Sequence, residues 1–314
     1  MNILVTAIGS FSADCVVNSL KAKEHKVVGC DIYPSTWHAV SKDCDCVYQA
    51  PFATNEREYI SFLLEVCKKE QVDCIFPLTD LEIDVLNRHR VEFADANVSV
   101  FIQSETCLNI ARDKFAMYRL FKDDECVNVP YSVCSEEMDL GFPIPAIAKP
   151  INGRSSEGLK RITRNEELKE FVGVTNYIIQ QNISGSVFTV DYVRDRLGND
   201  FAIPREELLR TKNGAGTTIR VFSDELLSKT VSYIGDKLGI IGCVNMEFIF
   251  NDGKYYLIDI NPRFSAGVAF SNFVGYDMVT NHLDSFVGGC VCDPIEYKEQ
   301  IICKQYKEVL LWTK

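Results

Sequence analysis

The chain has 314 residues, 46% hydrophobic and 25% charged, enough to bury the cores of two or three domains. A formal net charge of −11 excludes a general nucleic-acid-binding surface, which is basic, but leaves room for a local cationic pocket. No apolar run is long enough to span a membrane. The opening Met1-Asn2-Ile3-Leu4-Val5-Thr6 lacks the basic start and long apolar stretch of a secretory signal, so it reads as a first strand. Of the thirteen cysteines, most lie among apolar neighbours, and the Cys44/Cys46 and Cys290/Cys292 pairs have C-x-C rather than C-x-x-C spacing. A reduced, cytoplasmic protein without a zinc or disulfide framework is expected.

Strand and helix alternate through the first hundred residues. Ile3–Ala7 is an apolar strand, and Ala13–Lys23 reads as a helix after a polar turn. A second strand at Lys26–Asp31 precedes a helix at Asn55–Glu70, with Asn55 and Glu58 spaced as a capping box. Strands at Cys74–Pro77 and Val98–Ile102 flank a helix over Asp80–Phe93. Such alternation predicts a parallel sheet with helices on both faces. Beyond it, Ala111–Phe121 reads as a helix and Ile144–Lys149 as a strand that runs into a polar loop at 151–158. A helix at Glu166–Val172 precedes strands at Tyr177–Gln181, Phe188–Arg194, Phe201–Ile203 and Thr217–Val221. The helix Glu225–Leu238 and a hairpin complete an antiparallel sheet with packed helices.

That hairpin carries the chemistry. Its second strand, Tyr255 to Ile260, is apolar and ends in Asn261-Pro262-Arg263; proline stops it for want of an N–H. Asp259 and Asn261 are two apart and share a face, and their oxygens are the hard ligands that magnesium prefers beside substrate phosphates. Arg263 places a planar fork of donors next to them. Glu247, on the preceding strand, joins that face only if the hairpin parity is right. A three-residue loop, Asn251 to Gly253, with Gly253 as a left-handed bulge is the expected solution, leaving Glu247 diagonal to Asp259.

Taken in order, these pieces resemble the ATP-grasp enzymes, close to the carbamoyl phosphate synthetase large-chain and carboxylate–amine ligase branch. The resemblance covers nearly the whole chain, and its most specific motif is Asp259-Ile260-Asn261-Pro262-Arg263 with Glu247 upstream. It implies a mixed α/β and α+β fold. A Rossmann-like pre-ATP-grasp domain at 1–108 would precede a two-lobed ATP-grasp domain at 109–314, whose smaller lobe spans about 122–185. It also implies an ATP- and Mg²⁺- (or Mn²⁺-) dependent ligase that activates a small carboxylate as an acyl phosphate for attack by an amine. A homodimer is compatible with it; nucleic acid and membrane are not expected as partners.

Residue by residue, the resemblance implies that Lys114 and Lys149 contact ATP phosphates and that the loop with Ser155, Ser156 and Gly158 covers them. Gln180, Gln181 and Ile183 correspond to the strand that reads adenine. Glu247, Asp259 and Asn261 correspond to the metal ligands, and Arg263 and Arg205 to catalytic arginines at the phosphoryl group and the substrate carboxylate. For Arg210 a solvated charge is an equal reading. The family's acid after the position of Gly185 is replaced by Ser186-Val187, leaving Gln181 for the ribose, and Asp259 is one methylene shorter than the usual glutamate. Glu82, beyond the carboxyl end of a parallel strand, is expected to meet the amine. Rival readings are a nicotinamide oxidoreductase, for which only Gly9 of the fingerprint is present, a non-catalytic ATP-binding module, and an ATP-grasp kinase.

Overall fold

The computed structural model describes residues 1–135, 140–153, 157–171 and 173–313. The chain begins with β1 (Asn2–Val5), α1 (Ala13–Ala22), β2 (Lys26–Asp31), β3 (Cys46–Gln49), α2 (Glu56–Glu70), β4 (Cys74–Phe76), α3 (Asp80–Arg88), α4 (Arg90–Asp95) and β5 (Ser99–Val100). These strands form one parallel sheet in the order β3-β2-β1-β4-β5. The order reverses between β1 and β4, which opens a crevice beyond their carboxyl ends.

Two helices, α5 (Glu105–Ala111) and α6 (Lys114–Phe121), lead into a four-stranded antiparallel sheet. Its members are β6 (Ser132–Cys134), β7 (Ala146–Pro150), β8 (Lys160–Ile162) and, after the short α7 (Asn165–Leu168), β9 (Tyr177–Gln181), in the order β6-β9-β7-β8. A larger antiparallel sheet follows. It contains β10 (Ser186–Arg194), β11 (Asp200–Arg210), β12 (Gly216–Val221), β13 (Gly242–Asn251) and β14 (Lys254–Asn261). Helix α8 (Glu225–Leu238) precedes β13, while α9 (Val268–Phe273), α10 (Met278–Val287) and the edge strand β15 (Gln300–Cys303) follow β14. Strand order is β14-β13-β10-β11-β12-β15.

The expected parallel and antiparallel halves are both present, with local differences. The helix read over Asp80–Phe93 breaks at His89, whose two ring nitrogens lie 2.7 Å from Glu56 and 2.6 Å from Glu92. The helix read over Ala111–Phe121 is divided by Asp113, which caps α6 by accepting from the N–H groups of Phe115 and Ala116. No capping box forms at Asn55, whose amide instead lies 3.5 Å from the Glu58 carboxylate. Strands β3, β6, β8 and β15 escape a pattern search because each is only three or four residues long and all four are sheet edges.

One core spans the parallel sheet and the large sheet: Ile3, Val5 and Phe76 pack with Val16, Ile203, Phe264 and Met278. By contrast, the four-stranded sheet rests on a small core of Val133, Ala146, Ala148, Ile162 and Ile179. The shared core includes an aromatic box around His282 of α10, with Phe76, Phe264 and Phe286 ring centroids 5.1, 4.8 and 4.9 Å away. His282 Nδ1 accepts the Cys243 N–H at 2.9 Å, and burial lowers its pKa from 6.5 to about 3. The unfolded chain therefore takes up this proton near pH 6.5 while the folded protein refuses it until about 3. Stability falls across that window as pH drops, by on the order of 2 kcal/mol from this group at pH 5. Urea unfolding at pH 7 and pH 5 should show a smaller difference for His282→Gln than for the natural chain.

Candidate active site

Strands β13 and β14 meet through a tight turn, Asp252-Gly253, with φ of +47° and +76° between the paired Asn251 and Lys254. Both values are those of a two-residue primed turn, so the expected three-residue loop with a bulge at Gly253 does not form. Continued without interruption, this register would pair Glu247 with Ile258 and turn the acids to opposite faces. Instead the register shifts between Phe248↔Leu257 and Glu247↔Asp259, leaving Ile258 as the extra residue of a bulge inside the strand. Glu247 thus lies directly opposite Asp259, not diagonal to it, and Asn245 lies opposite Asn261. The expected shared face is present, but its cause lies six residues from the turn's start. The bulge also frees the Ile258 carbonyl, which accepts from Lys149 Nζ at 3.4 Å.

Two lysines approach this face from the other side of a cleft of about 460 Å³. The Asp113 cap sets Lys114 at the first position of α6, where its N–H donates to the Ile151 carbonyl and Nζ to that of Gly153 at 2.9 Å. Nζ is also 3.3 Å from Asp259 Oδ1. Lys149, near the end of β7, is buried, and burial lowers its pKa to about 8 against the pull of Asp259. Gln180, Gln181 and Ile183 line the same cleft, with the Gln180 amide donating to Ser132 Oγ at 3.0 Å. Gly158 does not line it. Its φ is +72°, and a Cβ there would stand 2.8 Å from the Tyr177 hydroxyl and 2.9 Å from Pro150. Ser155 and Ser156 lie outside the described residues.

The arginines are more tightly held than their sequence positions imply. Arg263 forms a two-point ion pair with Asp80 at the start of α3, at 3.0 and 2.9 Å, and donates to Asn261 Oδ1 at 3.4 Å. Burial alone would raise the Asp80 carboxyl, but Arg263, Arg112 and Lys114 outweigh it and hold it below the usual value. Arg205 is 2% exposed and bonds Asp191 at 2.7 Å, Ser265 Oγ at 3.0 Å and Glu207 at 3.2 Å. Arg210, which the sequence left even, reaches Glu247 at 3.0 Å. Glu82 is buried away from the cleft, its oxygens accepting from Tyr59 at 2.8 Å and Thr79 at 2.7 Å. Sequence reasoning missed Asp80 and Asp191 as members of this network. Only the unusual polarity of Asp191 within an apolar strand gave a signal.

The donor set suits a hard cation. Two carboxylates and one amide oxygen lie on adjacent strands, and magnesium takes one or two such groups while keeping waters or phosphates. Burial raises the Glu247 carboxyl, opposed by Arg210 and reinforced by Asp259, a balance that nearby positive charge would relieve. No cluster of three or more His, Cys, Asp or Glu suited to a metal occurs among the described residues, so the amide is needed as the third donor.

Residues 111–267, half of the chain, match the family of ATP-grasp domains, and the protein belongs to that family. Residues 3–101 match the PylC-like N-terminal domain. The chain is 24% identical over 298 residues to the carbamoyl phosphate synthase large chain of Thermoplasma volcanium, covering 85% of this chain and 28% of that one. It is 28% identical over 149 residues to the large chain from Agathobacter rectalis, covering 42% and 14%. It thus spans well under a third of the length of either relative. Its fold is similar to N5-carboxyaminoimidazole synthetase from Staphylococcus aureus in complex with ADP, with a TM-score of 0.77 at 15% identity, covering 97% and 82% of the two chains. Campylobacter jejuni biotin carboxylase gives 0.78 at 16%, covering 93% and 72%.

The Arg263–Asp80 pair leads to a direct expectation. Arg263→Ala leaves Asp80, whose side chain is 3% exposed, with only Arg112 at 3.7 Å as an ion partner, and breaking a buried pair from one side costs up to about 3 kcal/mol. Adding Asp80→Asn should recover much of that loss in urea unfolding, whereas a purely chemical role for Arg263 would leave stability unchanged.

Proposed function

We propose that the chain is an ATP- and Mg²⁺-dependent ligase that activates a small carboxylate as an acyl phosphate and passes it to an amine. The observation that carries this reading is the convergence, through the bulge at Ile258, of Glu247, Asp259 and Asn261 opposite Lys114 and Lys149. Domain limits of 1–108 and 109–314, with a smaller lobe at about 122–185, and a cytoplasmic location belong to the same proposal. Among the described residues no helix is long and apolar enough to cross a membrane.

Lys114 and Lys149 bind the nucleotide phosphates as point charges. Residues Gln180 to Ile183 hold the base between the two antiparallel sheets. Glu247, Asp259 and Asn261 would hold Mg²⁺, which when bound supplies positive charge to the phosphates. Positioning and charge neutralisation make up most of the catalysis of such a transfer. A substrate carboxylate oxygen attacks the γ-phosphorus in line, and the bond from that phosphorus to the bridging oxygen breaks to release ADP. The amine then attacks the acyl carbon, and phosphate leaves as the nitrogen loses its proton. Arg263, beside Asn261, stabilises charge on the transferring group, and Arg205 holds the loop bearing Ser265 against the sheet.

Calorimetric titration with a non-hydrolysable ATP analogue should show binding that strengthens with magnesium and loses that increment in Asp259→Asn. ADP release screened over carboxylates paired with amines, with mass spectrometry of products, tests the reaction. Absence of nucleotide binding would sink the reading. Carboxylate-independent behaviour would leave a binding module, and a stable phosphorylated product without an amine would mark a kinase.

Lys149 offers a separate check. Its pKa of about 8 when folded lies below the 10.5 of an ordinary lysine, so the folded state carries the full penalty of the buried charge below pH 8. Stability should therefore rise from about pH 8 towards 10.5. Lys149→Met should flatten that rise, stabilise the nucleotide-free chain at pH 7 and weaken analogue binding by roughly tenfold or more.

A further inference from the structure

One wall of the cleft joins the end of residues 111–267 to Phe11, which lies outside them. Phe11, from the loop after β1, lines the cleft and is 55% exposed, beside Ala266 and Gly267 of the loop after β14. Lys304, just past β15, comes up behind them. Its N–H donates to the Thr217 carbonyl and extends the edge pairing, while Nζ donates to the Ala266 carbonyl at 2.6 Å. The ammonium sits 5.5 Å from the ring centres of both Phe11 and Phe270.

This cation differs from the arginines near it. Arg205 is neutralised by Asp191 and Glu207, and Arg263 by Asp80. Lys304 takes part in no ion pair among the described residues, and its only side-chain hydrogen bond there is to a neutral carbonyl. Burial and repulsion by Arg205 disfavour its charged form and outweigh the attraction of Glu207 and Asp191. Those two carboxylates favour the charge from a distance, but neither is in ion-pair contact, so the half-buried ammonium can still accept an anion as its direct partner.

Position narrows the anion further. A chain of contacts runs from Asn261 to Asn245, from Asn245 to Asp191, and from Asp191 to Arg205, and Lys304 lies past its end. The subsite is therefore separate from the oxygen donors proposed to hold metal and phosphates. A single point charge against aromatic faces suits a monoanionic carboxylate with an apolar body better than a dianionic phosphate, which calls for several donors.

We propose that Lys304 and Phe11 form the specificity subsite for the carboxylate substrate, the ammonium binding an anionic oxygen and the exposed ring face packing on the adjoining apolar body. The proposal rests on the reading of the cleft as a nucleotide-dependent ligase site. It assigns substrate choice to two segments, the β1–α1 loop and the stretch after β15, that lie outside residues 111–267.

The test uses the full chain saturated with Mg²⁺ and a non-hydrolysable ATP analogue, titrated calorimetrically with acetate, benzoate, L-alanine and inorganic phosphate. Benzoate should bind more tightly than acetate, and phosphate least. Lys304→Met should weaken benzoate binding about tenfold, the size of one lost charge-assisted contact. Lys304→Arg should restore it to within about threefold by keeping the charge. Phe11→Ala should remove the preference for benzoate over acetate. Analogue affinity should stay unchanged in all three variants, which a merely structural role at Ala266 would not allow. Failure of the natural chain to bind the analogue would defeat the ligase reading itself. Normal analogue binding would overturn this inference alone if no carboxylate bound, if benzoate bound Lys304→Met as it does the natural chain, or if that variant lost nucleotide and benzoate affinity together.

Discussion

A single extra residue in β14, Ile258, sets which face of the large sheet carries the oxygen donors. Side chains alternate along a strand, so one inserted residue reverses the parity of everything beyond it. Before the bulge, Leu257 faces the buried side and packs with Val244, Met246 and Phe248. After it, Asp259 and Asn261 face the cleft while Ile260 returns to that same core. The sheet thus keeps an apolar core and gains a polar face from one strand without burying an unpaired acid. The same bulge turns a carbonyl towards Lys149, tying the small sheet's lysine to the large sheet's strand.

Around this fixed face the three sheets are held unequally. The parallel sheet is joined to the large sheet by a shared core, by Arg263–Asp80, and by Gln103, whose amide both donates to and accepts from the Ile241 backbone. The four-stranded sheet has five buried apolar residues in its own cluster and reaches the rest through polar contacts such as those of Lys114 and Lys149. Few buried apolar contacts mean low local stability. Lys114 and Lys149 therefore sit on or beside the sheet with the smallest apolar core, while Glu247, Asp259 and Asn261 sit on the sheet that shares a core with the parallel one.

Electrostatics in the cleft are unbalanced in a way the ligands would correct. Lys149 loses proton affinity to burial, and Glu247 gains it for the same reason. Thr189 Oγ1 and Glu207 Oε2 are buried on the same sheet without hydrogen-bond partners among the described residues. Such groups lower stability, and a protein that retains them holds polarity ready for a bound molecule. Arg205 and Arg263, in contrast, are each ion-paired, with Asp191 and Glu207 and with Asp80, so they order loops and link sheets while facing the cleft.

Much of the fold and some of the site were legible in the chain itself. Alternating apolar runs and helical periods placed the parallel and antiparallel halves, because burial imposes those periods locally. Asp259, Asn261 and Arg263 stood out because polar residues abruptly close an apolar strand. Lys149 was legible because it ends an apolar strand ahead of Pro150 and a glycine-bearing loop, and Lys114 mostly through family likeness. Tertiary structure decided the rest. The tight turn at Asp252-Gly253 with a bulge at Ile258 was not readable, because both arrangements put the acids on one face and differ in where the register slips and in whether Glu247 sits opposite or diagonal to Asp259. The partners of Arg263 and Arg205 lie 183 and 14 residues away, and the cation behind the cleft wall follows an edge strand too short to show a period. Local sequence fixes which residues want water or core; which charges meet depends on chain reversals whose energies are shared among many distant contacts.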